Sequence, residues 1–181
     1  MLRLKEFYQK EITSKMKEKF GYKNIFEVPR IIKVVINVGI GKLKDDAKAK
    51  EVVIDTVKAI SGQKPAIKIA KKAISGFKLR QNDPVGVMVT LRGNRMYDFL
   101  EKLTRIVLPR TRDFRGLKLS SIDKQGNLNI GIKEQVIFAE VKSENLEKVH
   151  SLQVCVSTTA KPGEEATEFY KLLGFVFADI K

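Results

Sequence analysis

The stretch 71–95, KKAISGFKLRQNDPVGVMVTLRGNR, joins a basic loop to a strand and decides how the rest of the chain is read. Val85, Val87, Val89 and Leu91 fall on one face of an extended segment; Gly86, Met88, Thr90 and Arg92 fall on the other. Such alternation predicts a strand with one face on a core and one face open. Upstream, Ser75-Gly76 and Asn82-Asp83-Pro84 are turn signals that bracket Phe77-Lys78-Leu79-Arg80-Gln81. From Thr56 to Asn82 there is no acidic residue, while Lys58, Lys64, Lys68, Lys71, Lys72, Lys78 and Arg80 are cationic. The segment predicts a projecting loop with a basic tip and one exposed aromatic. A merely solvated lysine surface is the competing reading, but an ordinary surface intersperses acids among its bases.

Outward from this stretch the same alternation recurs. In Ile31 to Ile40, residues Ile32, Val34, Ile36, Val38 and Ile40 point one way, and Ile31, Lys33, Val35, Asn37 and Gly39 the other. Leu128, Ile130 and Ile132 oppose Asn127, Asn129 and Gly131; Leu152, Val154 and Val156 oppose Gln153, Cys155, Ser157 and Thr159. A short strand at Ala66 to Ala70 is expected to turn Ile67 and Ile69 inward. Helical spacing predicts an amphipathic helix over Leu2 to Phe20, closed by Gly21, and a second from an Asp45 or Asp46 cap through Ile60, with Gly62 after its end. A third, capped by Asn94, carries the stripe Met96 or Tyr97, Leu100, Leu103 and Val107 and is stopped by Pro109; Glu164 to Leu173 forms the last. Arg110 to Gly116 is a second basic loop with one aromatic. The pattern is α+β: a mainly antiparallel sheet with helices packed on one face, an open polar and basic face, and the projecting loop, all in one domain spanning 1–181.

Composition narrows the function. An apolar content of 43% over 181 residues excludes disorder and supports a sizeable core. The 35 Lys and Arg against 21 Asp and Glu give a formal charge of +14, which points to a polyanionic partner. No apolar run approaches the ~18 residues of a membrane span, and Met1 to Gln9 lacks a signal peptide's apolar segment, so a soluble intracellular protein is expected. Cys155 is the single cysteine, so neither a disulfide framework nor a cysteine metal site is expected. Gly39-Ile40-Gly41-Lys42 lacks the spacing of a phosphate-binding loop. His150, the one histidine, sits beside Glu147 and Lys148 like a surface residue, and Cys155 has no evident partner base. Asp45-Asp46 and Glu164-Glu165 are explained as helix-start acids. No enzyme, cofactor or metal is expected.

The polar strand faces carry Asn, Thr, Ser, Gly, Lys and Arg with almost no aromatics. Readers of single-stranded RNA stack bases on Phe or Tyr at the sheet centre, which this face does not supply. Structured, duplex-like RNA recognised by shape, phosphates and 2′-hydroxyls fits better. Duplex DNA fits less well, because no helix is both basic and free to enter a major groove. A general RNA chaperone is the rival reading; it would share the charge but needs neither a polar sheet face nor two separate basic loops.

Several motifs along the chain carry a resemblance: Val28-Pro29-Arg30, NVGIG at 37–41, ISGQKP at 60–65, SGFKLRQ at 75–81, VTLRG at 89–93, PRTRDFRGL at 109–117, KEQVIF at 133–138 and TTAK at 158–161. In this order they resemble the bacterial large-subunit ribosomal protein five family, which binds 5S rRNA in the central protuberance. The resemblance implies a structural role in the large subunit of a cytoplasmic ribosome, beside its rRNA and proteins and away from membranes. It implies 5S rRNA contacts at Asn37, Gln63, Thr90 and Arg92; Lys33, on the polar parity of its strand, and Lys64, beside Gln63, complete the rRNA-binding set. It implies a P-site tRNA-facing loop at Lys71, Lys72, Ser75, Gly76, Phe77, Lys78, Arg80 and Gln81. It also implies a bridge to small-subunit ribosomal protein thirteen around Arg110, Arg112 and Arg115. There are departures: Asn82 replaces the glycine usual in the turn after Arg80-Gln81, Ala139 replaces a proline and Lys133 an arginine. Asparagine tolerates positive φ next best, so the turn should survive.

Overall fold

A computed structural model describes residues 3–41, 46–112, 114–141 and 149–178; Leu2, Lys42, Asp45, Glu147 and Lys148, named above, lie outside the described residues. The fold is α+β, with a five-stranded antiparallel sheet in the order β2-β3-β1-β5-β4. The strands are β1 (Ile31–Gly39), β2 (Ala66–Ile69), β3 (Pro84–Leu91), β4 (Leu128–Ile132) and β5 (Leu152–Thr158). Val87, Val89 and Leu91 on β3, Leu128, Ile130 and Ile132 on β4, and Leu152, Val154 and Val156 on β5 are all buried, as their parity predicts.

Three strands depart from the expected pattern. At the start of β3, Val85, expected inward, is only half-buried, and Gly86, expected on the open face, is buried. On β1 the alternation begins only at Val34. Ile31 is buried and Ile32 is 47% exposed, the reverse of the expectation. Inward residues three apart, Ile31 and Val34, cannot share one face of a regular period-two strand, so the strand's start is irregular. On β2, Ile67 pairs with Val87 and so has the core parity, yet Ile67 and Ile69 are 52% and 54% exposed. β2 is an edge strand whose inward residues stay uncovered, unlike those of the other edge strand, β4.

Helices start and stop largely where local chemistry dictates. α1 (Leu4–Phe7) and α2 (Thr13–Phe20) flank a π-helical turn, Tyr8–Ile12, where the Thr13 hydroxyl donates to the Tyr8 carbonyl at 2.9 Å. α3 (Ala47–Ser61) begins at Asp46, whose carboxylate accepts from the Ala49 N–H at 2.9 Å. Gly21 and Gly62 end α2 and α3 in the left-handed conformation.

Two expected boundaries differ. α4 (Gly93–Lys102) is entered from Arg92, with Gly93 at φ 59; Asn94 is inside the helix and its side chain accepts from Lys5 Nζ at 2.9 Å. Pro109 does not stop the segment. After a π-helical stretch, Leu103–Val107, it enters the first turn of α5 (Leu108–Arg110), where a missing N–H is tolerated. α6 (Glu164–Leu172) opens with the acids Glu164 and Glu165, which suit a helix N-terminus.

The chain divides into two compact units. The first comprises Met1–Val34, Leu91–Ile130 and Cys155–Lys181; the second comprises Val35–Thr90 and Gly131–Val154. In the first, Tyr170 is fully buried and its hydroxyl lies 3.0 Å from the Gly126 carbonyl and 3.1 Å from that of Val156. Tyr8 donates to the Pro29 carbonyl at 2.9 Å and meets Phe169 edge to face. In the second, the buried Ala49, Val53, Val57 and Ile60 form the inner stripe of α3.

Candidate nucleic-acid interface

The second unit contributes a polar patch built from β1, β2 and β3. Asn37 is exposed on β1, on the parity opposite to buried Ile36 and Val38. Gly86 on β3 pairs with Lys68 on β2. A Cβ on Gly86 would lie 3.8 Å from Lys68 Cβ and 3.9 Å from Asn37 Oδ1, so Asn37, Gly86 and Lys68 share one face. Gly86 itself is buried, and the Asn37 amide oxygen and the Lys68 Cβ lie close to where a side chain on it would begin. Gln63, half-buried in the segment after α3, donates its side-chain amide to the Thr90 carbonyl at 3.3 Å, so two residues assigned from sequence come together. Lys64 is exposed beside it.

Lys68 is not among the RNA-binding residues expected from the sequence, nor is Gly86, although both share a face with Asn37. The parity of β2 held the signal, since Lys68 lies opposite in facing to Ile67 and Ile69. Lys33 and Arg92 belong to the first unit; Lys33 is half-buried on β1 and Arg92 is exposed just beyond β3.

Part of the polar parity does internal work. Asn127 accepts from the Thr158 N–H at 3.3 Å and donates to Asp123 Oδ2 at 3.0 Å. Burial acts to raise the Asp123 carboxyl, but hydrogen bonds from Asn127 and Gln125 outweigh it and hold the carboxyl below its usual range. Asn127 is therefore a turn anchor as much as a surface group. Cys155 is half-buried, and burial pushes its thiol up, which opposes thiolate chemistry. The His150 N–H donates to the side-chain oxygen of buried Gln135 at 2.7 Å.

The basic loop is a closed structure standing on β2 and β3. Its base is tied by Ala70 N–H to the Asp83 carbonyl, 2.8 Å, and by Asn82 N–H to the Ala70 carbonyl, 2.9 Å. Its tip is a small hairpin in which Ile74 and Leu79 exchange bonds of 2.9 and 3.1 Å around the turn Ser75–Phe77. Asn82 has φ 70, so the turn survives without glycine. Lys71, Lys72, Ser75, Gly76, Phe77, Lys78, Arg80 and Gln81 are placed along it and all are exposed, Phe77 at 79%, while Leu79 among them is half-buried. In the first unit, Arg110, Arg112 and Arg115 are exposed on a segment ending at Gly116. That glycine has φ 102, and a Cβ there would lie 2.5 Å from the Ala178 nitrogen. Leu117 is then pinned by its bonds to Val176 and Ala178, 2.8 and 2.9 Å.

Among the described residues no group of His, Cys, Asp or Glu is placed to hold a metal ion, and no helix is long and apolar enough to cross a membrane.

Comparison with known proteins identifies the family. The family model for ribosomal protein L5 matches residues 24–80, and the model for the C-terminus of the same ribosomal family matches 84–177. The chain belongs to the ribosomal protein L5 family. It is 49% identical over 178 residues to the large ribosomal subunit protein uL5 of Thermoanaerobacter sp. (strain X514), covering 98% of this chain and 99% of that one. It is 47% identical, with the same coverage, to the uL5 proteins of Alkaliphilus oremlandii (strain OhILAs) and Chloroflexus aggregans (strain MD-66 / DSM 9485). As a member of the L5 family it is a structural, non-enzymatic constituent of the large ribosomal subunit in the cytoplasm, in company with that subunit's RNA and proteins. The two matched regions meet within the base of the basic loop, between Arg80 and Pro84.

Proposed function

We propose that the chain binds 5S rRNA through the polar sheet face, reaches P-site tRNA with the loop 71–83, and bridges to small-subunit ribosomal protein thirteen through Arg110, Arg112 and Arg115. The observation that supports the first part is the grouping of Asn37, Gly86 and Lys68 on one strand face, with Gln63 bonded to Thr90 at the end of the same strand β3. A face of small hydrogen-bonding groups, a cation and no stacking aromatic suits the wide minor groove of an A-form helix, with its 2′-hydroxyls and phosphates. It suits splayed single-stranded bases poorly. The exposed loop and the exposed arginines support the other two contacts, because exposed guanidinium and ammonium groups are suited to anionic partners.

A gel-shift series with 5S rRNA, tRNA and an unrelated duplex tests the first part. The expected result is strong preference for 5S rRNA, with a salt slope corresponding to roughly four to eight neutralised phosphates. Equal affinity for all three RNAs would favour a general RNA chaperone and overturn the reading.

A further inference from the structure

A cleft of about 650 Å³ lies between α3 and the basic loop, lined among others by Lys50, Ser75, Lys78, Arg80 and Asp83. Lys50 belongs to the first turns of α3, outside the loop, and is half-buried. The cleft therefore gathers cations from two elements that are distant in sequence. Its acid, Asp83, accepts the Arg80 backbone N–H at 2.9 Å, so that carboxylate already serves the loop's turn. The charges lining the cleft still favour an anion, and Ser75 adds a hydroxyl donor.

The loop side of the cleft is fixed. The Ile74–Leu79 pair closes the hairpin tip, and the Lys78 N–H donates to the Ser75 carbonyl at 2.9 Å. Lys78 itself has φ 50 and ψ 36, a left-handed conformation that residues with a Cβ adopt rarely. A strained lysine held at the lip of a basic cleft is the kind of outlier that accompanies ligand clamps.

We infer that this cleft seats a phosphodiester of the RNA that the loop reaches, with Lys50 of α3 as a contact residue outside the loop. The volume exceeds a single phosphate group and suits a nucleotide-length piece of backbone passing through. The inference rests on the proposed reading of the loop as a tRNA contact, and adds to it a defined phosphate site with a residue from another element.

The test uses the full chain and an in vitro transcribed tRNA, titrated by fluorescence anisotropy over a salt series. Lys50→Gln keeps length and helix propensity; Lys50→Arg keeps the charge. Lys50→Gln is expected to weaken tRNA binding about five- to tenfold and to make the log–log salt slope shallower by about one, with 5S rRNA binding held within about twofold. Lys50→Arg is expected to bind tRNA like the parent. Ser75→Ala serves as a second probe of the cleft, expected to weaken tRNA binding severalfold. If Lys50→Gln and Ser75→Ala bind tRNA normally while Arg80→Gln does not, the phosphate seat is wrong and the loop contact stands. If none of the three changes tRNA binding, the loop reading itself falls. Inorganic phosphate at matched ionic strength separates the two sources of the group. Displacing tRNA no better than chloride does is expected for a backbone site, whereas selective displacement would reassign the cleft to free phosphate.

Discussion

Gln63 and Thr90, 27 residues apart, are joined by a 3.3 Å hydrogen bond from the Gln63 side-chain amide to the Thr90 backbone carbonyl. The bond ties the segment after α3 to the end of β3. Because Gln63 is half-buried, its loss is modest for the fold. Gln63→Ala is expected to lower stability by about 0.5–1 kcal/mol. It should weaken 5S rRNA binding by more than that, since one substitution removes a contact group as well as the bond to Thr90. Denaturant midpoints and gel shifts on the same preparation decide it; a purely structural residue would change only the first.

Gly86 separates folding from recognition. A Cβ at this position would lie 3.4 Å from the Val38 carbonyl and 3.8 Å from Lys68 Cβ, ordinary contact distances, so Gly86→Ala should fold. A methyl group between Asn37 and Lys68 should nevertheless hold an RNA backbone away and reduce 5S affinity about tenfold, or ~1.4 kcal/mol. Undiminished binding by the folded variant would remove this part of the face from the interface.

Val89 and Arg92 differ sharply in burial around the end of β3: Val89 is 2% exposed, and Arg92 is exposed just before α4. Arg92→Ala is expected to leave the fold intact and to cost roughly 1.5–3 kcal/mol of 5S rRNA binding, the range for charge-assisted hydrogen bonds. Val89→Lys should instead unfold the protein by burying a charge. Circular dichroism with the binding assay distinguishes the two. Normal 5S affinity in Arg92→Ala would refute the sheet-face assignment.

The buried Tyr170 sets an alkaline limit on stability. Burial raises its phenol well above the usual value of 10.0, and burial first, then Tyr97, pushes Tyr8 up to about 12. Unfolded tyrosines titrate near about 10, so above that pH the unfolded chain has lost protons that the native state still holds. Stability therefore falls as pH rises from about 10. Tyr170→Phe should flatten that fall. It should also cost about 1–1.5 kcal/mol at neutral pH, because the Gly126 and Val156 carbonyls lose a donor. Thermal melts from neutral to alkaline pH on both proteins supply the comparison, and parallel alkaline slopes would show that Tyr170 is not the titrating group.

Legibility from sequence followed the reach of each physical rule. Parity was sufficient for β4 and β5 and for β3 from Val87 on. It failed for Ile67 and Ile69, which keep the core parity on the edge strand β2 yet stay exposed, whereas β4, the other edge, buries its alternate residues; which edge the core covers is set by packing that no strand period contains. It failed at Ile31 and Ile32 because an irregular start breaks the period of two. Asp46 and Gly62 capped α3 as local rules demand, whereas Asn94 accepts from Lys5, 89 residues away, a partner no local rule contains. Alternation and motif together single out Asn37, Thr90 and Arg92 as candidates. They do not single out Lys68 or Lys50, since each gains its setting only when β2 meets β3 or α3 meets the loop.

The loop's exposure makes its role separable from the sheet's. Phe77 could have folded into the core; at 79% exposure it does not, and Lys71, Lys72 and Lys78 are exposed around it. The loop's own backbone bonds, from Ala70–Asp83 at the base to Ile74–Leu79 at the tip, involve no cationic side chain. Replacing Lys71, Lys72, Lys78 and Arg80 with Gln should therefore leave the fold intact, with a change within about 0.5 kcal/mol per site. Each lost contact at an exposed, screened interface should weaken tRNA binding by roughly 0.5–1 kcal/mol. 5S rRNA affinity should stay within a few-fold, because Asn37, Gln63, Gly86 and Thr90 are untouched. Ribosomes carrying the quadruple variant should release P-site tRNA faster than the parent in a dissociation assay. The two measurements must be made on the same variant: a large loss of 5S binding with normal tRNA retention would move the loop from the tRNA contact to the 5S rRNA site.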